Sequence, residues 1–525
     1  MKIYKNILHV LYLPIFLHLL SCRSTDTDSA IQGGGIAQVK INLLGSDFAG
    51  ELTASQASLN SKTLGSMAPK SISMITPDTY IEVEEKQLLK TQASSKPGAI
   101  AAIPGSDFTT GIRFRVIAYR ADNGAYQTHQ DYIVGQAYAP LILNAGMEYV
   151  LVAYSAGSMG FVPNLMVVNG NSNVNTDLIS SGGTEAFVYQ RLNYTPVAGN
   201  NNVDLVLRHE YTSITSTVYN YIPEKEMAEL LVTYPGYQNV TYGLSTGKIS
   251  SYSGTSIPAQ VWSGSNTREV TFNNPQVIHN NTSVTGLKNS QVWIKWNGNT
   301  SYSVYSAVMN IKPEYKQHFN IGIKRCGAYL GPNNTMWKEF MCHNLGANTN
   351  ADPFIPAGTI HGAKYSWGAQ TNEAGRYVSQ ANDQGNSGAI AGWDSTAKAD
   401  GSWSDTNKTA NDPCPTGYRL PTTAEWQAVI DNNNIERVGT WTHDGNFVTA
   451  LYIKNSAGQR TLMLPAAGRR FGSDGSLYSP GDFGYYWSSS YGISLVAGTL
   501  VFGSTSISTT NGNRTNALSV RCIAE

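Results

Sequence analysis

Alternating apolar and polar positions recur along most of the chain, at the period of two that turns one face of a strand to a core and the other to water. Gln38-Val39-Lys40-Ile41-Asn42-Leu43, Ile112-Arg113-Phe114-Arg115-Val116-Ile117-Ala118-Tyr119 and Val203-Asp204-Leu205-Val206-Leu207 all carry it. Residues 214–219 and 290–296 read as further strands, and 140–155 as two strands around Asn144-Ala145-Gly146, a hairpin. Helical spacing is scarce. Residues 79–91, acidic and Leu-containing, read as either a short helix or a surface loop, and 224–231 as one short helix. The clearest helix start is Thr422-Thr423-Ala424-Glu425, a capping box in which hydroxyl and carboxylate each satisfy a backbone N–H. Trp426, Val429 and Ile430 come next on one face and are expected to bury against a sheet.

Composition agrees with a mostly β chain. The 50 glycines and 30 tyrosines, with many Ser, Thr and Asn, suit short strands and tight turns. At 525 residues and about 100–200 residues per domain, roughly three domains are expected. Charged residues are only 14%, and 36 basic against 36 acidic leave a net charge of +0. That balance argues against nucleic acid as a partner, which requires a basic surface.

The first residues are patterned as an export signal. Lys2 and Lys5 precede an apolar stretch from Ile7 to Leu20, too short to be read as a membrane span. It closes on Leu19-Leu20-Ser21-Cys22, which resembles a bacterial lipobox. The resemblance implies a signal over 1–21, lipidation of Cys22 and an outer-membrane anchor; an ordinary secretory signal is the bland alternative. Residues 22–35, polar and rich in Ser, Asp and Gly, read as a tether. Four cysteines remain, and four allow three pairings. Cys326 and Cys342 flank Gly331-Pro332-Asn333-Asn334, so a hairpin there brings them together, and Cys414 and Cys522 would then close a long loop. No C-x-x-C spacing or His cluster favours zinc, and no metal or cofactor is expected.

Two family resemblances organise the rest. Val-Ile-Ala-Tyr-Arg at 116–120 followed by Ala121-Asp122-Asn123-Gly124, AGMEYVLVAYS at 145–155 and VDLVLRHEYTSITSTV at 203–218 resemble the fimbrillin-type proteins of Bacteroidetes, over about 36–312. The resemblance implies two transthyretin-like β-sandwich domains, at 36–209 and 210–320, in a lipoprotein precursor that polymerises by strand exchange. Members are often cut after Arg or Lys early in the first domain. Here no arginine lies between Arg23 and Arg113, leaving Lys40, Lys62 and Lys70.

Residues 321–525 resemble a different module, first described as a paralogous family of Fibrobacter, with an α+β C-type-lectin-like fold. The motifs are Met336-Trp337, Asn344-Leu345-Gly346-Ala347, Tyr365-Ser366-Trp367-Gly368, DPCPTGYRLPT at 412–422, Leu464-Pro465-Ala466-Ala467-Gly468, GYYWSSS at 484–490 and Ser519-Val520-Arg521-Cys522. Arg419 to Trp426 also resembles a stretch of formylglycine-generating enzymes, but Cys414 and Cys522 are expected to be bridged, which argues against oxidase chemistry. No H-E-x-x-H, Gly-x-Ser-x-Gly or phosphate-binding loop occurs, so no catalytic residue is assigned.

Trp426 and Trp487 are expected in the core. Trp393, Trp403 and Trp441 sit among polar residues and are expected either to stack on a ligand or to pin loops. Asp394, Asp400 and Asp405 are the calcium candidates, supplying only some of the oxygen ligands such a site needs. Carboxylates such as Glu82, Glu84 and Glu85 read as solvated charge. The combined expectation is a fimbrial tip or accessory subunit, with other fimbrial subunits as partners and a lectin-like module that contacts host or bacterial surface glycan or protein. Only Ile523-Ala524-Glu525 lie beyond Cys522, so no donor strand is expected. The alternative is a surface binding lipoprotein that never polymerises.

Overall fold

The computed structural model describes residues 35–49, 70–86, 108–168, 170–280 and 286–525. Cys22, Arg23, Lys62, the signal and nearly all of the tether lie outside them. The strands begin with β1 Ile36–Asp47, β2 Lys70–Met74, β3 Thr79–Lys86, β4 Arg113–Arg120 and β5 Tyr126–Ile133. Next come β6 Leu141–Asn144, β7 Tyr149–Ser155, β8 Leu165–Met166, β9 Leu178–Gly182, β10 Val188–Tyr194 and β11 Gly199–His209. After these lie β12 Thr212–Asn220, β13 Met227–Thr233, β14 Gly236–Gly243, β15 Ile249–Ser256 and β16 Ala259–Thr267. The series continues with β17 Glu269–Ile278, β18 Gly286–Trp296, β19 Ser303–Ile311 and β20 Lys316–Arg325. The protein is mostly β and multidomain.

The first domain is a seven-stranded sheet in the order β5-β4-β7-β10-β11-β1-β6. It folds over a core that includes Val39, Val116, Leu143, Leu151, Leu205 and Leu207. Strand β7 is buried at every position, because its other face packs Val150, Val152 and Tyr154 against Ile179, Val240 and Tyr242. A strand covered on both sides loses polar alternation, which is why YVLVAYS is continuously apolar. The hairpin expected around Asn144 is not formed. β6 pairs with β1, whereas β7 pairs with β4 and β10, so the Asn144–Gly146 turn crosses between distant strands of the sheet.

The second domain faces the sheet β17-β12-β20-β3-β2 against β16-β13-β18-β19. Ile214, Leu230, Val232, Ile294, Met309, Phe319 and Ile321 lie in its core. Two sequence expectations change here. Residues 79–86 are strand β3, antiparallel to β20, and residues 227–233 are strand β13 rather than a helix. In β13 a bulge between Met227 and Glu229 puts Met227 and Leu230 on one face, which imitates helical spacing.

Strand pairing crosses residue 209 in both directions. Hairpin β2–β3 completes a sheet of the second domain, while β14 reaches back to pair with β9. β20 also runs past residue 320 toward Cys326. Glu82 and Glu85 are not free surface charges: Glu82 pairs with Lys324, and Glu85 with Lys312 at 2.8 Å.

A polar joint closes the two β domains. Lys248 Nζ lies 2.7 Å from both Glu210 and Glu314. His279 accepts from the Tyr242 hydroxyl at 2.5 Å through Nδ1 and donates through Nε2 to the Glu185 carbonyl at 2.8 Å. Burial pushes the Glu210 carboxyl up to about 7, against the pull of Lys248. Burial also holds His279 down at about 4.

The two shifts act in opposite directions. A carboxyl raised in the fold stabilises it below its ordinary value near 4.5 and loses that contribution as pH rises through 7. A depressed histidine stabilises the fold above 6.5 and loses that contribution as pH falls toward 4. The diagnostic quantity is therefore a difference. Glu210→Gln is expected to gain on the native protein by up to roughly 3 kcal/mol between pH 4.5 and 8, read as diverging urea midpoints. Parallel midpoints across that range would show that Glu210 is not held protonated.

Candidate functional site

β1 occupies a slot that only a strand can fill. It runs parallel to β11 from Ala37 opposite Gly199 to Asp47 opposite Arg208, and β6 flanks it from Ile36 to Val39. Ala37 and Val39 are fully buried, Ile41 and Leu43 partly, facing Val203, Leu205 and Leu207. Asn42 donates to Asp204 at 2.9 Å on the outer face. β11 meets β10 only at Arg208 and His209, so among the described residues β1 is the strand partner of Gly199–Leu207. Without β1 that stretch would expose its apolar face and a row of unpaired backbone groups. Beyond β1, Phe48 stacks on His209 at 3.7 Å and the Ala49 N–H donates to the Glu314 carbonyl at 2.9 Å.

Of the candidate processing sites, Lys40 is exposed on β1 and Lys70 opens β2, 3.6 Å from Glu82. The parallel pairing of β1 with β11 has no local sequence signal. Its partners are about 160 residues apart, and either strand alone reads only as an alternating segment.

The C-terminal domain is loop-rich and framed by disulfides and buried cations. Strands Gly327–Gly331 and Thr335–Glu339 form the hairpin around Gly331-Pro332-Asn333-Asn334, with Cys326 bonded to Cys342. Cys414 is bonded to Cys522, and beyond it Ile523–Ala524 pairs with Tyr418–Arg419. The helix Thr423–Asn432 starts on the capping box and buries Trp426 and Val429 against Phe340, Tyr486 and Phe502. Arg521 is wholly buried. Its guanidinium donates to the carbonyls of Met341, Cys342 and Met463 and to Asn344 Oδ1, at 2.8–3.0 Å. Arg470 and Lys364, also buried, share Asp383 at 2.7 and 3.1 Å.

The tryptophans differ in how far they are buried. Trp426 and Trp487 are fully buried and linked, the Trp426 N–H donating to the Trp487 carbonyl at 3.1 Å. Trp403 is also fully buried: it packs edge-on against Trp367 and donates to the Asn411 carbonyl at 2.9 Å. It therefore offers no face to a ligand, because the polar segment around it wraps over the ring. Trp393 is half-buried. It donates to the Gly472 carbonyl at 3.1 Å and lies so close to Gly475 that a Cβ there would sit 2.7 Å from its ring. Trp441, half-buried, meets Phe502 edge-on at 6.2 Å.

The acidic loop residues are spent on other partners. Asp394 pairs with Arg376 at 2.6 Å, Asp400 with Arg514 at 2.5 Å, and Asp405 accepts from Ser489 and Ser490. The structure does not bring the three together on one cation. A cleft of about 290 Å³ lies between Pro223–Glu226 and Trp296–Asn299, with Lys225 over the Trp296 ring at 5.4 Å.

No family model matches the chain, and no curated protein matches it. Among solved structures it is similar to a fimbrial assembly protein from Parabacteroides distasonis, at 11% identity over 45% of this chain and 90% of that one, with a TM-score of 0.27. A candidate cell adhesion protein from Bacteroides ovatus matches at 11% identity over 40% and 84%, with a TM-score of 0.27. Another from Bacteroides fragilis matches at 10% over 54% and 92%, again at 0.27. Scores this low leave the overall folds unmatched, and they carry no functional conclusion.

Trp403→Ala is expected to destabilise the C-terminal domain by about 3–5 kcal/mol, the cost of emptying a packed aromatic site. A variant with native thermal stability would show that the ring is exposed and free to bind.

Proposed function

We propose that the protein is an accessory subunit of a fimbrium, joined to the fibre by strand exchange at the β1 slot. It is anchored through Cys22 during export and presents its C-terminal domain as a surface adhesin. The observation that carries this reading is the dependence of β11 on β1. A slot that needs a strand, and whose resident strand is followed by a long connection before β2, suits replacement by a strand from another subunit. Cleavage after Lys62 or Lys70 would leave β1 held without a covalent link. Ile523–Ala524 is paired inside its own domain with Tyr418–Arg419, and the Glu525 N–H donates to the Gly417 carbonyl at 3.0 Å. That strand is not available for donation. Lys40 lies within the β1–β11 ladder, which favours the competing reading of a surface-anchored binding protein that keeps β1 permanently.

A specific protease site engineered into residues 55–62 separates the two. After cleavage, a fluorescent peptide of residues 36–49 is expected to enter the slot, raising its anisotropy, while uncut protein takes up none. Cleaved protein that stays folded and refuses the peptide would remove the exchange mechanism. On isolated fimbriae, gold-labelled antibody against residues 325–525 is expected at one fibre end. Label spread over cells with none on fibres would leave the non-polymerising reading.

A further inference from the structure

In the C-terminal domain Arg469–Arg470 pairs antiparallel with Leu477–Tyr478. The two arginines point opposite ways. Arg470 turns inward to Asp383, and Arg469 turns outward, half-exposed, into three aromatic rings. Its guanidinium carbon lies 4.8 Å from the centroid of Tyr485, 5.3 Å from Tyr478 and 5.4 Å from Phe471. Cation–π contact fixes the side chain but supplies no hydrogen-bond acceptor in the guanidinium plane. Among the described residues the Arg469 guanidinium makes no ion pair and no hydrogen bond, and its Nε is enclosed without a partner. Asp482 is close enough to bear on the Tyr485 hydroxyl, yet it does not reach Arg469. A cation so placed, held rigid and with no protein acceptor for its terminal N–H groups among the described residues, suits recognition of a carboxylate.

The surroundings narrow the ligand. Tyr478 is 38% exposed, with His443 edge-on to it at 5.4 Å and exposed beside it. These are aromatic surfaces against which the apolar face of a pyranose packs. Among the described residues no lysine and no second arginine lies over these rings, so a densely charged polyanion would gain only one guanidinium contact. A peptide adding as a strand beside Leu477–Tyr478 would find the Leu477 N–H already donated to the Ser387 carbonyl at 2.9 Å. We propose that Arg469, flanked by Tyr478 and Phe471, binds the carboxylate of a single acidic sugar residue of the uronic or sialic acid type. This names the ligand class for the adhesin reading of the C-terminal domain, and it stands independently of strand exchange.

The test uses the full chain and calorimetric titration with the methyl glycosides of N-acetylneuraminic acid and glucuronic acid, beside neutral methyl glucoside. At least one acidic glycoside is expected to bind about tenfold or more tighter than the neutral one, more weakly at high salt. Arg469→Gln is expected to abolish that preference and Arg469→Lys, which keeps the charge and loses the fork, to retain only part of it. Asp482→Asn, which removes the neighbouring negative charge and leaves Arg469 in place, is expected to tighten acidic binding severalfold. Equal binding of acidic and neutral glycosides would overturn the assignment, as would full retention in folded Arg469→Gln. Equal competition by an acetylated, amidated glutamyl peptide would overturn the sugar class. Should Arg469→Gln not fold, an Asp482→Asn variant with unchanged acidic binding would do the same. Because no fibre is involved, failure here leaves the polymerisation tests untouched.

Discussion

The turn of hairpin β2–β3 sits on the Cys326–Cys342 disulfide, and the arrangement of the whole molecule depends on that contact. The N–H of Cys326 donates to the Asp78 carbonyl and that of Cys342 to the Pro77 carbonyl, both at 2.7 Å. On one side of the turn β3 is zipped to β20 up to Thr79 opposite Arg325, the residue before the first cysteine. On the other, Tyr80 enters the core of the C-terminal domain and meets Phe354 at 5.5 Å. A segment from early in the chain thus completes a sheet of the second domain and plugs the entrance of the third. The disulfide holds both N–H donors at a fixed spacing, so the loop-rich module is seated on a β scaffold instead of hanging from a linker. Partners presented by such a module would be held at a defined orientation to the β body.

Within that module buried guanidinium groups do the work that regular elements do elsewhere. Arg521 ties the carbonyls of Met341 and Cys342 to that of Met463 and to Asn344, and it neighbours Cys522 in the other disulfide. Burial pulls its pKa down to about 10, yet it stays charged at neutral pH, and its acceptors are all neutral oxygens. Arg514 bridges the carbonyls of Gly492, Val496 and Lys398, pairs also with the Asp400 carboxylate, and stacks over Trp367 at 4.6 Å. Each cation gathers several loops at once, and removing its acceptors would leave a charge stranded in the interior, at a cost of several kcal/mol. Satisfied networks of this kind specify one loop arrangement, which apolar packing between irregular segments does less well.

Local chemistry is legible in the sequence where local chemistry decides the outcome. The Thr422 capping box starts a helix, and Gly331-Pro332-Asn333-Asn334 turns a hairpin that joins two cysteines, because each needs only residues a few positions apart. The same reading fails where distant pairing decides. Residues 79–91 have a helical or loop-like composition, but Tyr80, Ile81 and Val83 are buried once β20, more than two hundred residues later, lies beside them. A bulge disguises β13, and the turn after β6 resembles a hairpin because the sequence does not record that β1 and β10 capture its two arms. Trp403 reads as a loop residue for a related reason. Its neighbours are polar, and its burial comes from Trp367, which is remote in sequence. Arg469 carries no sequence signal of its own, since the sequence does not say which of two adjacent arginines faces Asp383.

The β1 slot and the polar joint are mechanically one device. Where β1 ends, Phe48 lies on His209 and the Ala49 N–H is bonded to the carbonyl of Glu314, whose carboxylate holds Lys248 against Glu210. Glu314 itself is in the left-handed region at φ 67°, a conformation a non-glycine residue keeps only when its surroundings hold it there. Withdrawing β1 would remove the Ala49 contact to Glu314, leaving the Lys248–Glu210 pair, the His279 hydrogen bonds and the β14–β9 pairing to hold the joint. A strand that fills only the sheet positions of residues 36–47 would therefore restore the ladder of the first domain without restoring its hold on the second. Full replacement requires a strand that continues past Asp47 with an aromatic side chain for His209 and a backbone N–H for Glu314. Under the proposed exchange, the slot would select its occupant by length and by the two residues just beyond the strand, as well as by the alternation within it.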